Sequence, residues 1–361
     1  MNAFCARLGI AYPIIQAPMA GVSTPALALA VSRAGALGSL ATGAAASPQA
    51  VAEQVATLQA ATDRPFNVNL FCHQPAPADD ARDAQWLAYL RPFFTALGST
   101  PPSHLDELYP SFVTNDALLA VLVAARPRVI SFHFGLPTPA QLATLRGTGA
   151  VLLACVTTPA EARRAEAAGV DALVAQGVEA GGHRGTFDPA VEPGIGTLEL
   201  TRQLARQSRL PVVAAGGLMD GADIAAALRA GASAVQLGTA FVTCPESAAA
   251  APYREALLRQ PPLPTALTPV ISGRPARGLV TRFVQEVDRP DRPPVAPFSR
   301  AYVAGKALVA AAQQAGEAGF AVQWAGTGVG RSRTLPAADL VQALMLEVER
   351  ALADPGSAHV G

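Results

Sequence analysis

Short apolar runs alternate along most of the chain with stretches whose apolar positions recur every three or four residues. The runs predict eight strands, at residues 13–16, 36–41, 66–71, 129–134, 151–157, 172–176, 211–215 and 234–237. Most are apolar throughout, as strands covered on both faces must be, whereas FNVNLF at 66–71 alternates. Helices are predicted at 24–34, 47–61, 141–146, 159–168 and 220–230. Pairs such as Thr24-Pro25 and Ser47-Pro48 suit a helical first turn. Eight strands alternating with helices argue for an α/β fold, a TIM-type (β/α)8 barrel, which takes about 250 residues. An open doubly wound sheet is weakened because no GxGxxG follows the first strand.

Two stretches break the rhythm. Residues 72–115 are too long for an ordinary connection and are expected to be functional or to carry their own structure. Residues 246–325 hold ten prolines, among them Pro261, Pro262, Pro264, Pro290, Pro293, Pro294 and Pro297, between two helical patches. They are expected to form a helical cap over the barrel mouth. The expected division is therefore 1–245 barrel, 246–325 cap and 326–361 return. The return carries an amphipathic helix at 336–353, and its last residues are expected to fray.

Composition narrows the function classes. Of 361 residues, 50% are hydrophobic and 15% charged, so a large core is available; the formal net charge is zero. That balance leaves no electrostatic footprint for nucleic acid or an anionic membrane. Cys5, Cys72, Cys155 and Cys244 form no CxxC pair, which argues against a metal site or a disulfide framework. No basic-then-apolar leader and no run of roughly 20 apolar residues is seen. A cytoplasmic protein is expected, as monomer or homodimer.

Chemistry is expected where the strands end. The stretch 211–241 reads as strand, glycine turn, helix, strand, glycine turn, and glycines at two neighbouring strand ends let backbone N–H groups approach an anion. Gly216-Gly217 and Gly238-Thr239 are thus candidates for a phosphate pocket, as after the last two strands of many barrels. Around the same mouth fall Ala17, Pro18, Met19, Asn69, His133, Gln176, Gly181, Gly182, His183, Gln236 and Leu237. Amides and imidazoles collect there with almost no carboxylates. That donor–acceptor set suits a heteroaromatic cofactor, and FMN fits the phosphate pocket beside it. Glu179 and Arg184 read as loop or surface charges. Lys306 is the single lysine against 26 arginines, which marks a place where a compact ammonium is retained.

Six motifs in order (IIQAPMAGVS at 14–23, FNVNLF at 66–71, SFHFGLP at 131–137, VAQGVEAGGHRG at 174–185, AAGG at 214–217, VQLGTAF at 235–241) resemble those of the nitronate monooxygenases. Tyr109 and the spacing from Tyr302 to Lys306 resemble the bacterial branch that oxidises propionate 3-nitronate. The resemblance implies an FMN-containing barrel that oxidises alkyl nitronates with O2, without metal, to a carbonyl product and nitrite. It assigns FMN contacts to Asn69, Gln176, Gly181, Gly217 and 236–239, and lays Ala17-Pro18-Met19 against the ring. It carries the catalytic role over to His133; Tyr109, Tyr302, Lys306 and His183 would face the substrate. Phe298 departs from the tyrosine expected ahead of Tyr302. Two alternatives share parts of this reading: an NAD(P)H-dependent flavin reductase of the same barrel type, and a flavin-free phosphate-sugar isomerase or lyase.

Overall fold

The computed structural model describes residues 2–44, 47–77 and 79–353. Its strands, in chain order, are β1 (Ile14–Gln16), β2 (Gly38–Ala41), β3 (Phe66–Phe71), β4 (Val129–His133), β5 (Val151–Val156), β6 (Ala172–Gln176), β7 (Gly182–His183), β8 (Val212–Ala215), β9 (Ala234–Leu237), β10 (Thr265–Thr268) and β11 (Ala276–Leu279). Eight of them form one parallel sheet in the order β1-β9-β8-β6-β5-β4-β3-β2. A parallel bridge between Ile15 and Leu37 brings its two edges together, so the sheet is a nearly closed barrel with helices between the strands. This is the TIM-type fold expected. Strands 66–71, 172–176 and 234–237 fall where the pattern put them. Others are a residue or two shorter, as at β2.

The barrel interior is packed with small and branched residues, among them Ile15, Leu37, Val129, Val151, Leu153, Val174 and Val213. Phe4, Cys5 and Leu8 of a short N-terminal helix, Ala3–Leu8, join the same cluster. They pack where Val129, Val151 and Ala234 begin their strands, which makes this helix a plug for the lower end of the barrel. The sequence pattern did not single it out, nor the helices Asp116–Ala125 and Thr197–Gln207. The helix Ala337–Ala353 packs Leu340, Val341, Leu344 and Val348 onto the barrel wall beside Ile224 and Val235. The expected fraying of the last residues, 354–361, lies outside the described residues.

Above the mouth the structure is richer than a run of helices. Residues 246–325 contain helices Ala251–Leu258, Arg282–Val287 and Arg300–Gln314, but also the antiparallel hairpin β10–β11. β11 pairs in turn with β7, in the barrel loop after β6, so the hairpin is sewn to the barrel through Ala276–His183 and Arg277–Gly182. The excursion after β3 carries its own helix, Asp80–Ala96, as its length implied. Trp86, Leu87, Leu90 and Phe94 of that helix share one hydrophobic cluster with Ile271, Phe283, Ala304 and Leu308. Arg300 ties the two together through Asp83, its Nε donating at 2.6 Å. Two excursions some two hundred residues apart thus share one hydrophobic core of their own.

Candidate active site

β8 and β9 are neighbours, with Ala215 opposite Gln236, so their terminal turns emerge side by side. Gly216 (φ 124°) and Gly217 (φ 72°) hold a backbone that L side chains rarely adopt. A Cβ on Gly217 would stand 2.9 Å from Glu179 Cβ. Among the described residues no backbone acceptor takes the N–H groups of Gly217, Gly238 or Thr239. Gly181 is required for another reason. A Cβ there would lie 2.5 Å from the Gly326 nitrogen, so the barrel loop and the 325–328 segment meet backbone to backbone. Thr239 Oγ1 fastens the same segment by accepting from Gly326 N at 3.0 Å.

These turns open into a cavity of about 1310 Å³, counting the solvent in its mouth. It brings together Ala17, Pro18, Met19, Asn69, Gln176, Gly181, Gly182, Gly216, Gly217, Gln236, Gly238 and Thr239 with His133, His183, Tyr109 and Tyr302. Two residues of the sequence-derived set stand apart. Leu237 is 1% exposed and packs into the barrel wall, as alternate residues of a strand must. Lys306 does not line the cavity. Its Nζ lies 5.4 Å from the ring centre of Tyr109 and 5.2 Å from that of Tyr302, behind the two phenols that do.

The amides are held, not free. Gln176 donates from Nε2 to the His183 carbonyl at 3.0 Å, and its Oε1 accepts from Arg184 Nη1 at 2.8 Å and Gly185 N at 2.7 Å. Arg184, read from sequence as a surface charge, is fully buried. It donates to the Gly177 carbonyl at 2.5 Å and pairs with Glu192 at 2.8 Å, clamping the whole loop from 176 to 192. Glu179 is likewise structural: its Oε2 accepts from the backbone N and Oγ1 of Thr197. Asn69 Oδ1 accepts from Ser131 Oγ at 2.8 Å, which leaves its amide NH2 for a ligand. In β1, Gln16 holds the 17–23 loop through Ser23 Oγ at 2.9 Å and accepts from Ser39 N at 2.8 Å.

Both histidines are neutral over the ordinary pH range. Burial pushes His133 down to about 4, helped by the positive charges of Arg274 and Arg184 and opposed by its contact with the His183 carbonyl. Burial likewise lowers His183 to about 3, with His133 and Arg274 adding to it. A carbonyl only accepts, so His133 Nε2, 3.2 Å from the His183 oxygen, carries the hydrogen. His183 Nε2 sits 2.8 Å from Ser272 Oγ, and Ser272 is 3.2 Å from the Arg274 carbonyl to which it donates. Tyr302 is pushed up to about 12 by burial and by Tyr109, and burial raises Tyr109 too; both phenols stay protonated.

The buried histidines make folding stability depend on pH. Burial also lowers His73 to about 4. Between about pH 6.5 and pH 4 the unfolded chain takes up protons that these three folded side chains refuse, so stability falls as pH falls through that window. Urea midpoints at pH 7.5 and pH 5 should differ in that direction. Equal midpoints would show that the imidazoles are not desolvated.

The parallel barrel, the N–H groups at two adjacent strand ends and the neutral imidazoles of one cavity define a barrel enzyme. Comparison with known proteins gives the family. The family model described as nitronate monooxygenase matches residues 2–347. A nitronate monooxygenase of Pseudomonas aeruginosa is 54% identical over 348 residues, covering 96% of this chain and 98% of that protein. One from Paraburkholderia phytofirmans is 52% identical over 346 residues, covering 96% and 94%. Among solved structures, the nitroalkane oxidase of Streptomyces ansochromogenes aligns with a TM-score of 0.88 at 40% identity, covering 97% of this chain and 99% of that one. FabK of Thermotoga maritima aligns at 0.74 with 28% identity, covering 98% and 97%. The chain belongs to the nitronate monooxygenase family. It is an oxidoreductase whose reaction is the oxidation of nitronates.

No helix of the described residues is long and apolar enough to cross a membrane.

Proposed function

We propose that the enzyme binds FMN in this cavity and oxidises alkyl nitronates with O2, propionate 3-nitronate foremost, to a carbonyl product and nitrite. The observation that carries the cofactor is the set of N–H groups at Gly217, Gly238 and Thr239 left without backbone acceptors, a cradle for a phosphate. The free amide NH2 of Asn69 and the cavity-lining Gln236 suit the polar edge of a flavin, with Ala17, Pro18 and Met19 along its face. FMN would supply the electron-accepting ring. The chain's own part is to bind it, to exclude water with the lid, and to hold the nitronate near His133 and His183. Residues 246–325, with helix Asp80–Ala96, serve as that lid.

Tyr109 and Tyr302 are protonated phenols at the outer wall, with Lys306 behind them. Together they suit a substrate carboxylate: the hydroxyls donate and the ammonium supplies charge without entering the cavity. Lys306→Met should therefore raise the Michaelis constant for propionate 3-nitronate several-fold more than that for ethyl nitronate. An unchanged ratio removes Lys306 from substrate selection.

An NAD(P)H-dependent flavin reductase of the same barrel type is the reading to exclude. Anaerobic stopped-flow mixing separates the two. Propionate 3-nitronate should bleach the flavin band rapidly and NADH should not; the reverse order overturns the proposal. A protein that releases no flavin on denaturation would overturn the cofactor assignment itself.

A further inference from the structure

The barrel interior is apolar on most strands, but one arc of it is polar. Leu37 and Val129 belong to the interior cluster, and side chains two apart on a strand share a face. Ser39 and Ser131 therefore point inward from β2 and β4, and β3 between them supplies Asn67 and Asn69. All four side chains are buried. Polar groups placed so deep are costly unless they find partners, and here they are joined in a line. Asn67 Nδ2 donates to Ser39 Oγ at 3.2 Å and to Ser131 Oγ at 2.9 Å, and Ser131 Oγ donates to Asn69 Oδ1 at 2.8 Å.

The direction of these hydrogens is set from the deep end. An amide NH2 has two hydrogens, and Asn67 directs one to each serine. A hydroxyl has one hydrogen, so Ser131, accepting from Asn67, gives its own to Asn69. The Asn67 carbonyl oxygen is left buried without a partner among the described residues. Turning that amide over would put its two N–H groups in the same empty place, and a buried N–H without an acceptor is rarer than a bare carbonyl oxygen. The line thus decides its last member: Asn69 turns its oxygen to Ser131 and its NH2 away from it. Asn69 and Ser131 both line the catalytic cavity.

We infer that Ser131, oriented by Asn67, is a positioning residue for the flavin ring. It fixes the Asn69 amide as a hydrogen donor, so the ring atom seated there is an acceptor, a carbonyl oxygen or an unprotonated ring nitrogen. The inference rests on the FMN reading above and adds to it which kind of ring atom meets Asn69.

The experiment uses the full-length holoenzyme and reads the flavin freed on dilution by its fluorescence. Ser131→Ala should raise the FMN dissociation constant about five- to tenfold, the range for one lost hydrogen bond. Ser131→Thr, which keeps the hydroxyl, should stay within about twofold of the unmodified enzyme. In the Asn69→Ala background, the same Ser131→Ala change should add less than about twofold, because the group it orients is gone. An unchanged constant in Ser131→Ala, or the same loss with and without Asn69, overturns the inference. Should the alanine variants lose flavin altogether, the orientation is read directly in the unmodified enzyme. The chain has four asparagines, Asn2, Asn67, Asn69 and Asn115, so 15N-asparagine labelling gives four side-chain NH2 pairs. The Asn69 pair, identified by its loss in Asn69→Ser, should shift when dithionite reduces the bound flavin; a pair that stays still overturns the inference. Flavin retained with none of these effects sinks this inference alone, whereas an unmodified enzyme that releases no flavin on denaturation sinks the FMN reading.

Discussion

Replacing His133 by Asn should lower turnover of propionate 3-nitronate by roughly 10²–10³-fold, the usual loss when one donor to a developing or bound oxyanion is removed. The reasoning starts from burial. A desolvated imidazole with a pKa near 4 is neutral at every pH at which the enzyme is handled, so it offers one N–H and one lone pair. The N–H is on Nε2, held by the His183 carbonyl at 3.2 Å, the long end of the hydrogen-bond range. A nitronate oxygen, carrying charge, is a stronger acceptor than a neutral carbonyl and can take that hydrogen over. Asparagine places its amide where Nδ1 stood and leaves the Nε2 position empty. Flavin content, read from the visible spectrum after gel filtration, should be unchanged, because none of the phosphate-cradling N–H groups is touched. The turnover profile should also lack an inflection near pH 6.5. Unaltered kinetics in the variant would remove His133 from the reaction.

What the sequence discloses, and what it hides, follows the range of the interactions. The barrel is legible because its strands announce themselves locally: a short apolar run, or in 66–71 a polar–apolar alternation, needs no partner to be recognised. The glycine turns after β8 and β9 are legible for the same reason. Their neighbouring placement follows from parallel connection, and the pairing of Ala215 with Gln236 is how it appears in the fold. The lid is different. Its hairpin strands Thr265–Thr268 and Ala276–Leu279 are separated by residues 269–275, which carry Pro269 and Pro275 and no two-residue turn signal by which a hairpin is recognised. Helix Asp80–Ala96 finds its partner, Arg300–Gln314, two hundred residues away, and no local pattern encodes that docking. Lys306 shows the limit of an isolated signal. Its rarity draws attention to it, yet its position behind Tyr109 and Tyr302 depends on the helix phase of 300–314 and on the packing of a distant loop. Arg184 is the instructive miss. The surface reading put Arg184 in solvent, whereas the fold buries it and pairs it with Glu192, eight residues on across the segment GTFDPAV.

The largest structural effect should therefore come from that arginine. Arg184→Met keeps the bulk and removes the charge from a side chain with no solvent exposure. Four acceptors then lose their donor inside the loop: the carbonyls of Gln176 and Gly177, Gln176 Oε1 and the Glu192 carboxylate. Breaking a buried ion pair by removing one partner typically costs about 3–5 kcal/mol, and the low end applies here because the Glu192 side chain is 24% exposed. Urea denaturation should show a midpoint shift of that order with an unchanged slope. A functional loss should accompany it that a merely unstable core would not give. Gln176 would be free to turn away from the His183 carbonyl, and His183 is tied to β11 through the Ala276 pairing. The loop that carries His183, whose carbonyl holds His133 of β4, would thus loosen at its base, and residual enzyme below its melting temperature should turn over more slowly while still folded. The double variant Arg184→Met, Glu192→Met separates the two effects. It should recover part of the stability, because the stranded carboxylate is gone, but none of the turnover, because Gln176 remains unclamped. Recovery of both together would mean that Arg184 serves only the core, and loss of neither would mean that the clamp is not formed in solution.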